Sequence, residues 1–259
     1  MGTSPKSLSV IVPALNEEKN IRAACEGIVA LAEQYLEDYE ILVIDDASED
    51  QTREVVRELA AKNPRILLFR NSENRGLGYN YWAGVSKARC QYTMMLPGDN
   101  EVISESLHDI FQRIGTSDIV ICYSSNPAIR SRIRQFISIL FTAALNTLFG
   151  LKIRYYNGPC VVRTDLSRRF WGMTNSFAYM AVLLVHLLKL GHTYQELPFR
   201  LQKRKYGRTN AFRFKNIIAV VKDVICLFWK IQIRNQLDVK QTWNYDNVLE
   251  IKEIRETPK

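Results

Sequence analysis

The sequence has few of the residues that build metal centres or disulfide frameworks. It includes only three histidines, and its five cysteines occur singly, with no CxxC pair. Structural zinc sites need Cys or His ligands at short spacing, and disulfide frameworks need paired cysteines. We therefore expect neither kind of site. Scattered single cysteines are typical of buried thiols in a reducing compartment.

Long apolar segments are also missing. The first nine residues lack the apolar run of a signal peptide. The longest stretch without a charged residue, 135–151, has 17 residues, five of them polar. A membrane-spanning helix needs about 20 apolar residues. We therefore expect a cytoplasmic protein, in which segment 135–151 could lie at a membrane surface without crossing it.

Neither common glycine-rich phosphate loop is complete. No Gly-x-x-x-x-Gly-Lys-Ser/Thr segment occurs, and the segment 75–78 supplies only two glycines of a Gly-x-Gly-x-x-Gly pattern, whose third position is Tyr81. That segment also follows the third predicted strand and not the first, so a dinucleotide-binding site is not expected. A nucleotide bound here would need a metal ion and basic side chains around its phosphates.

Charge is distributed unevenly along the chain. The formal net charge is +8, but residues 1–100 have 11 Lys and Arg against 15 Asp and Glu, a balance of −4. The remaining residues have 24 against 12, a balance of +12. Segment 197–222 contains eight basic residues and no acid. This uneven distribution of charge indicates an anionic partner for the second half: nucleic acid, anionic lipid or a phosphorylated substrate.

Strand-like and helix-like segments alternate through the first half. Short apolar runs predict five strands, at 8–12, 41–44, 66–69, 92–96 and 119–122. Helical spacing predicts helices after the first three strands; Asn16 would cap the first, with Glu17 and Glu18 in its first turn, and Asp50 would cap the second. This alternation predicts an α/β fold, a mostly parallel sheet with helices on both faces.

Polar and acidic residues follow the predicted strands. They form the segments 13–17, 45–48, 70–72 and 97–101. Ligands of open α/β sheets bind beyond the carboxyl ends of the strands, so these segments would share one rim. Caps and turns explain Asn16 and Ser48 well. They explain the pairs Asp45/Asp46 and Asp99/Glu101 less well.

Asp99 and Glu101 would point the same way in an extended segment, because they are two residues apart. Adjacent carboxylates repel each other unless a cation lies between them. Mg²⁺ and Mn²⁺ prefer oxygen ligands and bridge to substrate phosphates. Gly98-Asp99-Asn100 is equally good turn composition. The pair alone is therefore compatible with a metal site and with a solvated turn.

Six segments, taken in order, resemble the inverting family 2 glycosyltransferases, above all the dolichol-phosphate mannose synthase and polyprenyl-phosphate glycosyltransferase branch. They are Val-Ile-Val-Pro-Ala-Leu-Asn-Glu at 10–17, Ile-Leu-Val-Ile-Asp-Asp-Ala-Ser at 41–48, Asn-Arg-Gly-Leu-Gly at 74–78, the segment around Asp99, Glu-Leu-Pro-Phe at 196–199 and Arg-Lys-Tyr-Gly-Arg-Thr at 204–209. The resemblance implies a GT-A-type, Rossmann-like catalytic domain over 1–211, with an interfacial helix at 130–151. A C-terminal amphipathic helix and tail would occupy 212–259.

The resemblance also implies roles for individual residues. Asp99 and Arg204 would be catalytic, and Asp99 and Glu101 would bind Mg²⁺ or Mn²⁺. The nucleotide-sugar pocket, for a UDP- or GDP-sugar, would include Pro13, Leu15, Glu17, Asp45, Asp46, Gly78, Gly98 and Asp99. The acceptor phosphate would contact Arg130, Arg132, Arg134 and Arg204. One departure weakens the metal site, because the family's Asp-x-Asp falls on 97–99 and Pro97 replaces the first acid.

A second departure concerns the acceptor. Many relatives have an acid near the start of the helix before Gly191, whereas segment 176–186 has no carboxylate. A hydroxyl acceptor benefits from a general base, but a phosphate is already ionised. The missing acid favours a lipid phosphate, with Asp165 left as an alternative base.

The basic half suits a lipid acceptor. Arginines precede the apolar stretch 136–149, and a second apolar stripe follows the basic run, at Ile217, Val220, Val221, Val224, Phe228 and Ile231. Such helices dock on anionic membranes, although both could simply pack on the sheet. We expect a transferase of cell envelope glycan synthesis, peripheral at the inner face of the membrane, with a membrane-protein partner or a homo-oligomer as further options.

Three alternatives stay open at this point. Nucleic-acid binding would explain the basic half, but no nucleic-acid module is recognised and the acidic rim would repel phosphates, so we expect no nucleic acid. A hydroxyl acceptor would need a base from elsewhere in the chain. A degenerate, non-catalytic scaffold is favoured by Pro97 and by the missing helix acid, and disfavoured by the retained Asp99, Glu101 and Arg204.

Overall fold

The computed structural model describes residues 6–204, 206, 214–237 and 252–253. Most of the predicted segment 204–209 and the predicted domain boundary at 211/212 therefore lie outside the described residues, as do Arg208 and Arg213.

Eight strands form a single sheet in the order β7-β5-β6-β4-β1-β2-β3-β8. Six of them share one direction, and β6 and β8 run antiparallel to their neighbours. The strands are β1 (Ser7–Ala14), β2 (Asp38–Asp45), β3 (Ile66–Arg70), β4 (Tyr92–Met95), β5 (Ile119–Ser124), β6 (Cys160–Arg163), β7 (Tyr194–Phe199) and β8 (Lys252–Glu253). The predicted α/β fold with a mostly parallel sheet is confirmed.

Helices cover both faces of this sheet. They are α1 (Ile21–Tyr35), α2 (Thr52–Lys62), α3 (Leu77–Lys87), α4 (Ser104–Gln112), α5 (Arg132–Phe149), α6 (Thr164–Arg169), α7 (Tyr179–Lys189) and α8 (Phe214–Phe228). One buried cluster joins α1, α2 and α4 to one face of the sheet. A second cluster joins α3, α5, α6, α7 and α8 to the opposite face. The strands between them are buried on both sides, which explains their continuous apolar runs.

The predicted start of the first helix is wrong. α1 begins at Ile21 with Asn20 as its N-cap residue, and no acid lies in its first turn. Asn16 instead adopts a left-handed conformation with φ of 56°. Its side-chain oxygen accepts the amide of Glu49, 2.9 Å away. Residues 15–20 therefore form a turn over the end of β1. The second helix starts at Thr52 as predicted, with Gln51 as N-cap residue and Asp50 accepting the Thr52 amide.

Helix α8 presents apolar side chains in two directions. The predicted stripe on α8 splits: Val220, Val224 and Phe228 pack on the core, whereas Ile217 and Val221 are 41% and 52% exposed. A π-helical turn, Trp229–Ile233, extends α8. No helix in the described ranges is both long enough and apolar enough to cross a membrane.

Candidate active site

Three polar segments meet at the carboxyl edge of the parallel strands, as predicted. Backbone hydrogen bonds join them: Asp46 N donates to Ala14 O at 2.8 Å, and Gly98 N donates to Pro13 O at 3.0 Å. A Cβ on Gly98 would lie 2.7 Å from Ile21 Cδ1. Glycine at this position therefore lets the segment before Asp99 cross close to the start of α1.

Asp46 organises the turn into α3. Its Oδ1 accepts hydrogen bonds from Asn71 Nδ2 at 2.7 Å and from the amide of Arg75 at 2.8 Å, and its Oδ2 accepts the amide of Gly76 at 3.0 Å. The side chain is buried. A carboxylate that accepts three N–H groups has a clear structural function. Its predicted contact with the nucleotide stays a prediction.

Asp45 is also fully buried, but it is less completely bonded. Its Oδ1 accepts the Ser48 amide at 2.8 Å. Its Oδ2 has no hydrogen-bond partner and lies 3.6 Å from Arg70 Nε. An incompletely bonded buried carboxylate has capacity for another donor. This capacity is compatible with the predicted role in nucleotide binding, although the side chain of Asp45 is fully buried among the described residues.

Gly78 allows a close backbone contact. A Cβ there would lie 2.6 Å from the carbonyl carbon of Asn175 and 2.7 Å from Ser176 O. The turn before α7 therefore packs directly on the first turn of α3. Trp82 Nε1 reinforces this contact by donating to Thr174 O at 2.8 Å. Glycine at 78 thus serves packing, whatever its predicted contribution to the donor pocket.

Glu17, Asp99 and Arg204 come together as the sequence predicts. Arg204 forms an ion pair with Glu17, which is 6% exposed, and its Nη1 lies 4.0 Å from Asp99 Oδ2. Asn20 Nδ2 donates to the other Glu17 oxygen at 2.7 Å. One guanidinium therefore partly balances two acids from different segments of the rim.

The chain after β7 carries Arg204 into this position. Gln202 N donates to Glu101 O at 2.8 Å, and Leu201 forms an isolated bridge with Val102. Further along, Tyr206 O accepts Arg204 Nε at 2.7 Å and Asn20 Nδ2 at 3.4 Å. Residues 200–204 and Tyr206 therefore lie between the acidic pair and the start of α1. Sequence analysis did not identify Asn20, whose role depends on this long-range contact.

The ionisation of Asp99 is opposed by its surroundings. Burial raises the pKa of Asp99 to about 7, and the charge of Glu101 contributes to that rise, whereas Arg204 acts in the opposite direction. Two hard carboxylate donors whose charges repel match the chemistry of Mg²⁺ or Mn²⁺. In the part of the chain that is described, no group of three or more His, Cys, Asp and Glu forms a metal site. Donor phosphates and water would therefore have to complete the coordination.

A cavity of about 650 Å³ opens beside this acidic pair. Its wall combines one acid, several basic side chains and an apolar patch. The lining residues are Glu101, Ile129, Arg130, Ser131, Ile133, Arg134, Leu201, Gln202, Lys203 and Arg204. Three of the four predicted phosphate-binding arginines thus line one cavity.

Arg130 and Arg134 concentrate positive charge in that cavity. Arg130 lies just before α5 and Arg134 lies in its first turn. Burial lowers the pKa of Arg134, and the nearby charge of Arg130 lowers it further. Arg130 Nη1 donates to Tyr155 Oη at 2.8 Å, and its buried Nε has no hydrogen-bond partner. No carboxylate lies within ion-pair distance of Arg130 among the described residues. The positive potentials of two neighbouring guanidinium groups add together, which favours binding of an anion between them.

Two other predicted residues lie elsewhere. Arg132 is exposed and does not line the cavity. Asp165 pairs with Arg163, which also pairs with Asp118 beside the amino end of β5. This is the opposite edge of the sheet, so Asp165 is excluded as a base in the site.

A carboxylate nevertheless lies beside the start of α7. The segment 176–186 has no acid, but Asp223 of α8 accepts hydrogen bonds from the hydroxyl groups of Thr174 and Ser176. The segment itself has no acid, as the sequence shows, but the fold brings a carboxylate from α8 to its start. Sequence analysis could not find this contact, because 47 residues separate Asp223 from Ser176.

Comparison with known proteins agrees with this architecture. The sequence model of one family, described as Glycosyl transferase family 2, matches residues 9–171. The fold resembles a crystal structure of glucosyl-3-phosphoglycerate synthase from Mycobacterium tuberculosis, with a TM-score of 0.63 and 16% identity, over 85% of this chain and 80% of that one.

Two curated relatives illustrate the similarity in sequence. A dolichyl-phosphate beta-glucosyltransferase of Trichomonas vaginalis is 30% identical over 145 residues, which are 51% of this chain and 45% of the relative. A GalNAc(5)-diNAcBac-PP-undecaprenol beta-1,3-glucosyltransferase of Campylobacter jejuni is 34% identical over 107 residues, or 41% and 34% of the two chains. The matched regions span less than half of these relatives. Since the family match covers more than half of the present sequence, the chain belongs to glycosyl transferase family 2.

Proposed function

We propose that this protein transfers a sugar from a nucleoside diphosphate donor to a polyprenyl phosphate at a membrane surface, with inversion at the anomeric carbon. One observation carries the proposal: Glu101, whose charge acts on the neighbouring Asp99, lines the same cavity as the basic pair Arg130/Arg134. The two acids suit a cation and the two arginines an anion. A metal-bound donor and a phosphate acceptor meet both requirements.

The donor would lie over the carboxyl edge of the sheet. Asp99 and Glu101 would hold Mg²⁺ or Mn²⁺, which would neutralise charge on the donor pyrophosphate. Arg204, already next to Asp99, would add a second positive charge where the nucleoside diphosphate departs. Glu17 holds this arginine on the donor side, and Asn20 in turn holds the Glu17 carboxylate.

The acceptor phosphate would occupy the basic end of the cavity. Arg130 and Arg134 would bind its oxygens, and Ile129, Ile133 and Leu201 would contact the first carbons of the lipid. One phosphate oxygen forms the new bond to the anomeric carbon as the bond to the nucleoside diphosphate breaks and its electron pair leaves with that group. The phosphate is already ionised near neutral pH, so no general base is required.

The outer faces of α5 and α8 support membrane docking. Eleven of the thirteen large hydrophobic side chains that are exposed in the described ranges belong to α5, α8 or the π-helical turn after α8. The most exposed on each helix are Ile133, at 74%, and Ile225, at 64%. Asp223 is the single acid of these three elements and is bonded to Thr174 and Ser176. Apolar faces with basic residues nearby suit an anionic bilayer.

Asp223 favours a second candidate, transfer to a hydroxyl acceptor. Its carboxylate lies at the turn that packs on α3, near the rim of the site. A carboxylate there could accept the proton that an alcohol loses as it attacks. In this alternative, Asp223 would provide the base that segment 176–186 does not carry.

Acceptor choice tests the proposal directly. The purified chain would be incubated with a panel of nucleotide sugars, a divalent metal and either a polyprenyl phosphate or the matching polyprenol, in the same anionic vesicles. We expect glycosyl lipid from the phosphate and none from the alcohol. Transfer to the alcohol alone would favour the second candidate, and no donor turnover with any acceptor would favour a non-catalytic scaffold.

A further inference from the structure

We propose that Tyr155 is a positioning residue of the basic pocket, and that its hydroxyl group holds the Arg130 guanidinium in the orientation that binds the acceptor phosphate. The inference rests on the proposed function, because it assigns a role within the phosphate pocket. Tyr155 does not line the cavity. It would act through Arg130 and not by contact with substrate.

The ring of Tyr155 is held rigidly. It is 9% exposed and belongs to the same buried cluster as Cys122 and Phe199. Gly158 contributes to this packing, since a Cβ there would lie 2.0 Å from Cys122 O and 3.0 Å from Tyr155 Cδ1. The close approach of the chain at Gly158 therefore leaves room for the ring at a fixed place beside β5. A hydroxyl group on a fixed ring is a suitable anchor for a flexible side chain.

Arg130 needs such an anchor. Its charge lies close enough to Arg134 to affect the ionisation of that residue, so the two guanidinium groups repel each other. An unrestrained Arg130 would move towards solvent when no anion is bound. The hydrogen bond from Nη1 to Tyr155 Oη, at 2.8 Å, opposes this movement. Gln135 fixes the backbone of Arg130, because its Nε2 donates a hydrogen bond to Arg130 O at 2.7 Å.

A tyrosine hydroxyl differs from a carboxylate in one respect that matters for ligand binding. Arg204 is held by Glu17, and the ion pair offsets part of its positive charge. Tyr155 is neutral, so it orients Arg130 while leaving the full charge for a ligand. The buried Nε of Arg130 has no hydrogen-bond partner. Arg130 is thus both oriented and incompletely satisfied, as expected of an anion-binding group that is prepared in advance.

The neighbouring Tyr156 provides a matched control. Its Oη donates to Asn146 Oδ1 at 2.9 Å, and its ring packs in the cluster on the other face of the sheet. Tyr156→Phe and Tyr155→Phe each remove one buried hydroxyl group and keep the ring. Only the second removes a contact to the pocket.

The experiment is a double-mutant cycle on Tyr155→Phe and Arg130→Ala, with Tyr156→Phe as control. A short-chain polyprenyl monophosphate is the probe, and both its KM in transfer and its Kd by direct titration are measured. We expect Tyr155→Phe to raise both constants on the order of tenfold, because a hydrogen bond to a charged group is lost. The KM of the donor should not change. In the Arg130→Ala background, Tyr155→Phe should have no further effect.

The outcomes separate this inference from the proposed function. If Arg130→Ala leaves the Kd of the monophosphate unchanged, the acceptor pocket itself is wrong. If Arg130→Ala weakens binding but Tyr155→Phe does not, only the role of Tyr155 is overturned. Equal effects of Tyr155→Phe in both backgrounds, or a rise of the same size from Tyr156→Phe, would show a general packing effect. Melting temperatures identify any variant that is not folded, and Tyr155→Phe retains the ring that the core requires.

Discussion

The guanidinium group of Arg204 forms an ion pair with the buried carboxylate of Glu17. The same group lies 4.0 Å from Asp99, so it occupies the space between two acids that are expected to surround the donor phosphates and their metal. Binding of a metal-bound donor would therefore redistribute the partners of Arg204. The residue has two functions in this scheme: it balances charge in the free protein and stabilises the leaving group during transfer.

Arg204→Gln should lower kcat/KM for the donor by roughly 10²–10³-fold, the effect of removing one preorganised stabilising group. It should also lower the melting temperature, because Glu17 loses the partner of a buried charge. Arg200→Gln is the matched control, since Arg200 is basic, exposed and outside the cavity. Transfer kinetics and thermal unfolding check both effects. Equal transfer rates for the two variants would show that Arg204 is not a catalytic residue.

Asp99→Asn should abolish metal-dependent transfer while the melting temperature does not fall. The substitution keeps the shape of the side chain and removes a charge that burial and Glu101 both disfavour. Glu101→Gln should be milder, because water can replace one oxygen ligand. The measurements are transfer rates over a range of Mg²⁺ and Mn²⁺ concentrations, with thermal unfolding of each variant. An active Asp99→Asn enzyme, or full activity in EDTA, would contradict the metal assignment.

Much of the sheet could be predicted because buried parallel strands carry continuous apolar runs. All five predicted strands are present, and β1 and β2 extend further than expected because Ser7 and Ala14 continue the ladder to Asp38 and Asp45. The start of α1 was mispredicted because Asn is favoured both in helix caps and in left-handed turns. The sequence around Asn16 does not distinguish the two conformations; the contact with Glu49 does.

The site was predicted best where a local motif carries it. Local motifs singled out Asp99, Glu101 and Arg204; the structure places Arg204 4.0 Å from Asp99, and the roles of all three stay predictions. Arg130, Arg132 and Arg134 are equivalent as a basic run in the sequence, but in the structure Arg130 and Arg134 line the cavity and the exposed Arg132 does not. Contacts between residues far apart in sequence left no local pattern to recognise. Tyr155 is 25 residues from its partner Arg130, and Asp223 is 47 residues from its partner Ser176.

Membrane docking predicts that the purified protein co-sediments with anionic vesicles and is released as salt rises. Phe136→Asp and Ile225→Asp should each reduce the bound fraction, because both side chains are more than 60% exposed on the proposed docking faces. Tyr194→Asp is the control, since Tyr194 is 42% exposed on β7. Vesicle sedimentation at several salt concentrations measures the effect. Binding that is equal for all variants, or indifferent to lipid charge at low salt, would count against this surface.

His186 predicts a pH dependence of stability. It is fully buried, and its Nδ1 lies 3.1 Å from Leu237 O. Burial lowers the pKa of His186 from 6.5 to about 4. The unfolded chain then binds a proton below pH 6.5 that the folded chain does not, so stability falls as pH decreases through that window and levels off below about 4. Between pH 7 and 5 this group should remove about 2 kcal/mol.

His186→Gln should reduce that slope relative to the unsubstituted protein, although it lowers stability at pH 7. The difference between the two proteins, measured by denaturant unfolding at several pH values, isolates the contribution of His186. His192→Gln serves as the control, because His192 is only partly buried. An unchanged slope in His186→Gln would assign the acid sensitivity to other groups.

The two acceptor classes predict opposite behaviour for Arg134 and Asp223. If the acceptor is a phosphate, Arg134→Ala should raise its KM by about 10–150-fold, since a charge-assisted contact contributes about 1.5–3 kcal/mol. Arg132→Ala is the matched control on the same helix, and its exposed position outside the cavity predicts little change. Asp223→Asn should retain most of the transfer rate, because the phosphate needs no base. The readout is the KM of polyprenyl phosphate for each variant, with kcat measured at saturating donor. If Asp223→Asn is inactive while Arg134→Ala is normal, and the melting temperature of Asp223→Asn is unchanged, then Asp223 is the base and the acceptor is a hydroxyl group.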